Sequence, residues 1–114
     1  MASELRGQRE TIIEVRVNCP DEQTASMIAE VTVLERLAAA ANILPPINSL
    51  YRWQGEIRLA RETPLLLKTR RSLFDKLAER ISGLHPYETP SILGTVPTFV
   101  SEPYETWVNN ETAD

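Results

Sequence analysis

Ser49-Leu50-Tyr51-Arg52-Trp53-Gln54-Gly55-Glu56-Ile57-Arg58-Leu59 is the stretch that decides the fold. Residues 49–53 alternate in character, and Ile57-Arg58-Leu59 alternates again, the period-two signature of a half-buried strand. Between them Gln54-Gly55-Glu56 supplies a turn, with glycine at the position that tolerates unusual backbone angles. Upstream, Pro45-Pro46 interrupts any ladder, so the strand through residues 42–48 must bend or sit at a sheet edge. Downstream of Pro64, Leu65-Leu66-Leu67 is a continuous apolar run of the kind buried on both faces. Together these segments predict one long, bent β-hairpin from about residue 41 to residue 69.

On the N-terminal side, Ile12, Ile13, Val15 and Val17 alternate imperfectly with Glu14 and Arg16, which predicts a strand over residues 11–17. Cys19-Pro20-Asp21 ends it, with Asp21 suited to cap the next helix. That helix is expected over residues 22–38, where Met27, Val31, Leu34 and Ala38 fall on one face, with Glu22 favoured by the dipole in the first turn. On the C-terminal side a second helix is expected over residues 73–82. Ser72 would be its cap and Asp75 would stand in for the capping-box glutamate. Phe74, Leu77, Ala78 and Ile81 form its core stripe, and Gly83 its stop. The loop His85-Pro86-Tyr87-Glu88-Thr89-Pro90 is pinned by two prolines. A last strand over residues 91–96 and a short helix over residues 103–108, anchored by Trp107, complete the chain. The order β-α-β-β-α-β, with two helices on one face of an antiparallel sheet, predicts a ferredoxin-like α+β sandwich.

The chain has 114 residues, enough for one domain, expected over residues 11–108 with flexible tails at 1–10 and 109–114. A net charge of −4 argues against a nucleic-acid partner. The one basic cluster, Lys68, Arg70 and Arg71, reads as a solvated turn. No apolar run approaches the roughly 20 residues of a membrane span, and the polar N-terminus is unlike a signal peptide. Cys19 is the only cysteine. A lone thiol excludes an internal disulfide and suits a reducing, cytoplasmic location.

Five segments carry a resemblance to a known family. They are Val17-Asn18-Cys19-Pro20-Asp21; Glu35-Arg36-Leu37-Ala38-Ala39 with Asn42-Ile43; Ser49-Leu50-Tyr51-Arg52-Trp53-Gln54-Gly55; Leu67-Lys68-Thr69-Arg70; and Leu84-His85-Pro86-Tyr87-Glu88-Thr89-Pro90. In this order they resemble the CutA family of divalent-cation tolerance proteins over about residues 11–108. The resemblance implies a ferredoxin-like fold and a homotrimer whose hairpins reach across to neighbouring subunits. It also implies a part in the response to divalent metal ions, with copper or another divalent cation held by Cys19 and His85 and not required for folding. Two departures stand out: many members have a second cysteine where this chain reads Ala38-Ala39-Ala40-Ala41, and some carry paired histidines where it reads Leu84-His85.

Thiolate and imidazole suit Cu(I), Cu(II) or Zn(II), but two ligands are too few for a closed structural zinc site. Water, Met27 or Glu88 would have to complete a weak copper site. The structural alternative makes Cys19 a small buried residue and His85 a loop ring bonded to backbone. Tyr51 and Trp53 share a strand face, where they either pack on a partner subunit or wall a pocket with Lys68, His85, Tyr87 and Glu88. By analogy of fold alone with the PII proteins, the second functional expectation is a small-molecule-sensing or scaffold trimer. Its inter-subunit cleft would be lined by Tyr51, Trp53, Lys68, Tyr87 and Glu88. An enzyme is not expected: Gly7, Gly55, Gly83 and Gly94 are never clustered into a phosphate loop, and a Cys19–His85 nucleophile pair would need hydrogen-bond contact and an orienting third group, neither of which the sequence indicates.

Overall fold

A computed structural model describes residues 10–113. The observed class is α+β: a five-stranded antiparallel sheet with three helices. Strand β1 (Ile12–Cys19) lies inside the sheet because both its flanks are paired and its apolar face, Ile13, Val15, Val17 and Cys19, is wholly within the core. On one side it pairs with β4 (Glu56–Arg70), from Ile12 opposite Arg70 to Cys19 opposite Thr63. On the other it pairs with β5 (Ile92–Thr95), from Glu14 opposite Thr95 to Val17 opposite Ile92.

The hairpin is observed with its bend. Leu44-Pro45-Pro46 splits the incoming arm into β2 (Ala40–Ile43) and β3 (Ile47–Trp53), and both pair with the single long strand β4. The Leu44 N–H closes the bend on the Pro64 carbonyl at 3.0 Å. At the tip both Gln54 (φ 50°) and Gly55 (φ 80°) are left-handed, the two-residue turn whose twist matches its strands. The inner half of β4 is buried from Glu62 through Leu65, while Glu56 to Leu59 stand in solvent, and the molecule extends 55 Å along its long axis.

Helix α1 (Glu22–Leu34) starts where expected, with Asp21 Oδ1 accepting the Thr24 N–H at 2.7 Å. Its core face differs from the expected stripe. Ala25, Ile28 and Thr32 are buried, whereas Met27 is 38% and Leu34 73% exposed. The Thr32 hydroxyl is satisfied by the Ile28 carbonyl at 2.8 Å, so its methyl can enter the core without cost. The helix also ends four residues early. Arg36 turns left-handed (φ 61°), and Leu37 N–H returns to the Thr32 carbonyl at 2.9 Å.

Helix α2 (Phe74–Leu84) is preceded by a 3-10 turn (Arg71–Leu73). Its buried residues Leu77 and Ile81 belong to the expected stripe. Ser72 caps nothing: its N–H and hydroxyl donate to the Glu10 carboxylate at 2.9 and 2.7 Å. Gly83 lies inside the helix, which ends when His85 becomes extended.

Helix α3 (Glu102–Glu111) is longer than expected, and its buried anchor is Val108, not Trp107, which is 43% exposed. Of residues 109–113, expected as a flexible tail, 109–111 continue the helix. Thr112 is buried, and Ala113 N–H donates to the Arg36 carbonyl at 2.7 Å. Arg70, expected in a solvated turn, is instead buried, reaching Thr112 Oγ1 (2.9 Å), Glu10 Oε2 (3.2 Å) and the Ala113 carbonyl. The expected N-terminal tail lies, apart from Glu10, outside the described residues.

Candidate functional site

Period two along the hairpin sends Ser49, Tyr51 and Trp53 of β3 to one face, with Glu56 opposite Trp53, Arg58 opposite Tyr51 and Ala60 opposite Ser49. Two residues beyond Ala60, Glu62 lies on the same face, opposite Ile47. This face overhangs the exit of β1 and the proline-pinned loop after α2. Together they enclose a cavity of about 650 Å³, walled by Tyr51, Trp53, Arg58 and Glu62 from the hairpin, Asn18 from β1, and Tyr87 and Glu88 from the loop.

Its floor is polar and buried. The Tyr87 hydroxyl donates to Glu62 Oε2 at 3.0 Å, and Glu62 is only 6% exposed. Burial, then the bond to Glu62 and the carboxylate's charge, push the Tyr87 phenol up to about 12. Asn18 Oδ1 is buried with no donor among the described residues, a costly state for an amide oxygen.

His85 builds this floor without facing it. Its Nε2–H donates to the Asn18 carbonyl at 2.9 Å, and its Nδ1 accepts the Tyr87 N–H at 3.1 Å. Since a carbonyl only accepts and an amide N–H only donates, these partners select the Nε2–H tautomer. The ring also packs on Tyr87 at a tilt, with centroids 4.7 Å apart and planes at 55°. His85 therefore ties the loop to the end of β1 and aims Tyr87 at Glu62.

Cys19 is fully buried in the core, and burial followed by the charges of Asp21 and Glu62 pushes its thiol up to about 11. A metal binds the thiolate, and at neutral pH this thiol keeps its proton. A metal held by Cys19 and His85 would have to displace the thiol's proton and the Tyr87 N–H from Nδ1. Among the described residues no group of three or more His, Cys, Asp or Glu side chains is placed to hold one.

Of the residues singled out from sequence, Tyr51, Trp53, Tyr87 and Glu88 come together on the cavity wall. Lys68 does not: it sits far along β4, paired with Glu14 at 3.3 Å and bonded to Asn42 Oδ1 at 3.0 Å. Met27 lies on the exposed side of α1. Asn18, Arg58 and Glu62 were missed. The available signal was the hairpin's own alternation, which puts Arg58 and Glu62 on the face of Tyr51; nothing local marks Asn18.

Fold and site thus define a small α+β protein with a ligand-sized cleft under an overhanging hairpin. The family model for the CutA1 divalent ion tolerance protein matches residues 13–111, and the chain belongs to that family. It is 42% identical over 98 residues to the divalent-cation tolerance protein CutA of Thermus thermophilus, covering 86% of this chain and 95% of that one. It is 41% identical over 98 residues to the CutA homolog of Danio rerio, again covering 86% of this chain but 65% of the relative, so it spans just under two-thirds of that protein. A solved structure of the Thermus thermophilus protein superposes with a TM-score of 0.86 at 40% identity, covering 90% of this chain and 99% of the other. Among the described residues no helix is long and apolar enough to cross a membrane.

Proposed function

We propose that this protein serves the response to divalent metal ions that its relatives are named for, acting in the cytoplasm as a non-enzymatic homotrimer that senses a small molecule in the hairpin cleft. The observation that carries the reading is the cleft itself. In about 650 Å³, three aromatic side chains, a buried carboxylate and an unpaired amide oxygen converge, the mix of apolar wall and few placed polar groups typical of ligand sites. The trimer is supported by the hairpin. Its opposite face carries the cross-strand pair Leu50 and Leu59, 71% and 75% exposed, beside Ile57 at 57%. An apolar ribbon with an uncovered strand edge is stabilised by pairing with another chain.

Copper held by Cys19 and His85 is the second reading. One contact favours it: His85 Nε2 lies 2.9 Å from the carbonyl of Asn18, the residue before Cys19. It requires His85 Nδ1 to give up the Tyr87 N–H, with Nε2–H free to stay on the Asn18 carbonyl, and Cys19 to ionise from about 11.

The test is a thermal-denaturation screen of the full chain against small metabolites in chelator-treated buffer. A ligand of the cleft raises stability by about 2.7 kcal/mol at one hundred times its Kd, and the gain disappears in Trp53→Ala or Tyr51→Ala. Stabilisation by copper alone, lost in Cys19→Ser and His85→Ala, would replace this reading with the second one.

A further inference from the structure

Resting on the cleft reading, we infer that the cleft selects a small organic cation, a protonated amine on an apolar or aromatic body, with the Glu62 carboxylate as its counter-charge. The floor has an excess of acceptors. Glu62 is almost fully buried, yet its described partner is a neutral hydroxyl, that of Tyr87, on Oε2. Oε1 takes no part in that bond and opens onto the cavity, and the nearby Asn18 Oδ1 is buried with no donor among the described residues. The one imidazole that could have donated here uses its Nε2–H on the Asn18 carbonyl.

Among the described residues the negative charge has no ion-pair partner. Arg58, the basic residue of the wall, is four residues from Glu62 along β4, on the order of 13 Å at strand rise, and is paired with Glu56 at 3.4 Å. The field of Glu62 acts instead on Cys19 and Tyr87, raising both. A buried carboxylate without a counter-charge is costly, and a ligand that brings one relieves that cost. An ammonium group supplies up to three donors, one for Glu62 and one for Asn18 Oδ1. The Tyr51 and Trp53 rings offer faces for cation–π contact and for the ligand's apolar body. Glu88 adds a second negative charge to the wall. An anion would meet two carboxylates and the unpaired Asn18 Oδ1, opposed by Arg58 alone, which is paired with Glu56. A bare divalent ion would find two carboxylates and one amide oxygen, short of the six or more oxygens such ions take, and would have to keep water for the rest.

The test uses the full chain carrying Trp107→Phe, so that Trp53 is the only indole reporter. Tryptophan fluorescence and ligand-observed NMR follow titrations at pH 7 and constant ionic strength with benzylammonium chloride, benzyl alcohol, sodium benzoate and magnesium chloride. The expected result is saturable benzylammonium binding at least tenfold tighter than benzyl alcohol, with none for benzoate or magnesium. Glu62→Gln, which keeps an acceptor for Tyr87, should lose at least tenfold for benzylammonium only. Equal binding of the alcohol or of benzoate, displacement by magnesium, indifference to Glu62→Gln, or no binding of any probe overturns the inference. The comparison among probes on the unmutated site decides the matter even if Glu62→Gln folds poorly. Benzoate or alcohol binding, or a neutral or anionic hit in the metabolite screen, leaves the cleft reading standing. Failure of the probes and of that screen together removes both.

Discussion

His85 and Cys19 are the two residues whose types suggest a metal, and both are held by the fold in other roles. His85 uses its two nitrogens on Asn18 and Tyr87, and Cys19 is a buried, protonated thiol. The thiol's raised value makes a pH prediction. The folded state keeps the proton to about 11, whereas an ordinary thiol releases it near 9.0. Between those values the folded state binds more protons than the unfolded one, so stability falls as pH rises. The stability is fully present below about pH 9 and is lost toward pH 11. Urea denaturation should show this fall, and Cys19→Ser should reduce it; an unchanged slope in the variant would contradict the burial argument. Cys19 should also resist alkylation at pH 8 in the native state. That Cys19 would be buried was legible, because it continues the alternation of Val15 and Val17. Asn18 and Glu62 were not, because alternation assigns a side chain to a face without saying what crosses that face from a loop more than twenty residues away.

At the scale of elements, the prolines and the Gly55 turn were the most readable features, since their effects are local and steric. Helix α1 was misread because its apolar residues suggest one stripe while packing uses another. Against the sheet, small Ala25 and self-satisfied Thr32 flank Ile28 better than Met27 and Leu34 would. The end of α1 depends on a distant partner. Arg36 is left-handed at the end of α1, and its guanidinium binds the last carbonyls of α3, Asn110 at 2.8 Å and Glu111 at 3.1 Å, a site the helix dipole favours for a cation. Arg36→Ala should therefore destabilise the fold by about 1–2 kcal/mol. Arg36→Gly should recover roughly 1 kcal/mol of that by removing the Cβ penalty at positive φ. Chemical denaturation of the two variants measures the difference, and equal values would show that backbone strain plays no part. Ser72 illustrates the same limit: it has the capping-box spacing but lies inside the 3-10 turn, and Glu10, 62 positions earlier, takes both of its donors.

For the whole molecule, the hairpin projects from the core with one face turned to the cleft and the other, Leu50, Ile57 and Leu59, left to solvent in the single chain. If three chains cover one another there, Leu59→Glu should shift sedimentation of the protein from trimer toward monomer while the isolated fold keeps its circular dichroism. An unchanged trimer would remove that ribbon from the interface. At the other end of the sheet, Arg70 gathers Glu10, Thr112 and Ala113, so the C-terminal segment is part of the fold. Nothing in its polar composition announced that, because the partner is a buried arginine in the central hairpin. The most direct measurement of the account is a calorimetric titration of the protein with Cu(II), and anaerobically with Cu(I), beside Cys19→Ser and His85→Ala. With recognition placed in the cleft and Cys19 and His85 serving the fold, the account predicts no saturable site that either substitution abolishes. Saturable binding at a fixed ratio per subunit, lost in both variants, would contradict it.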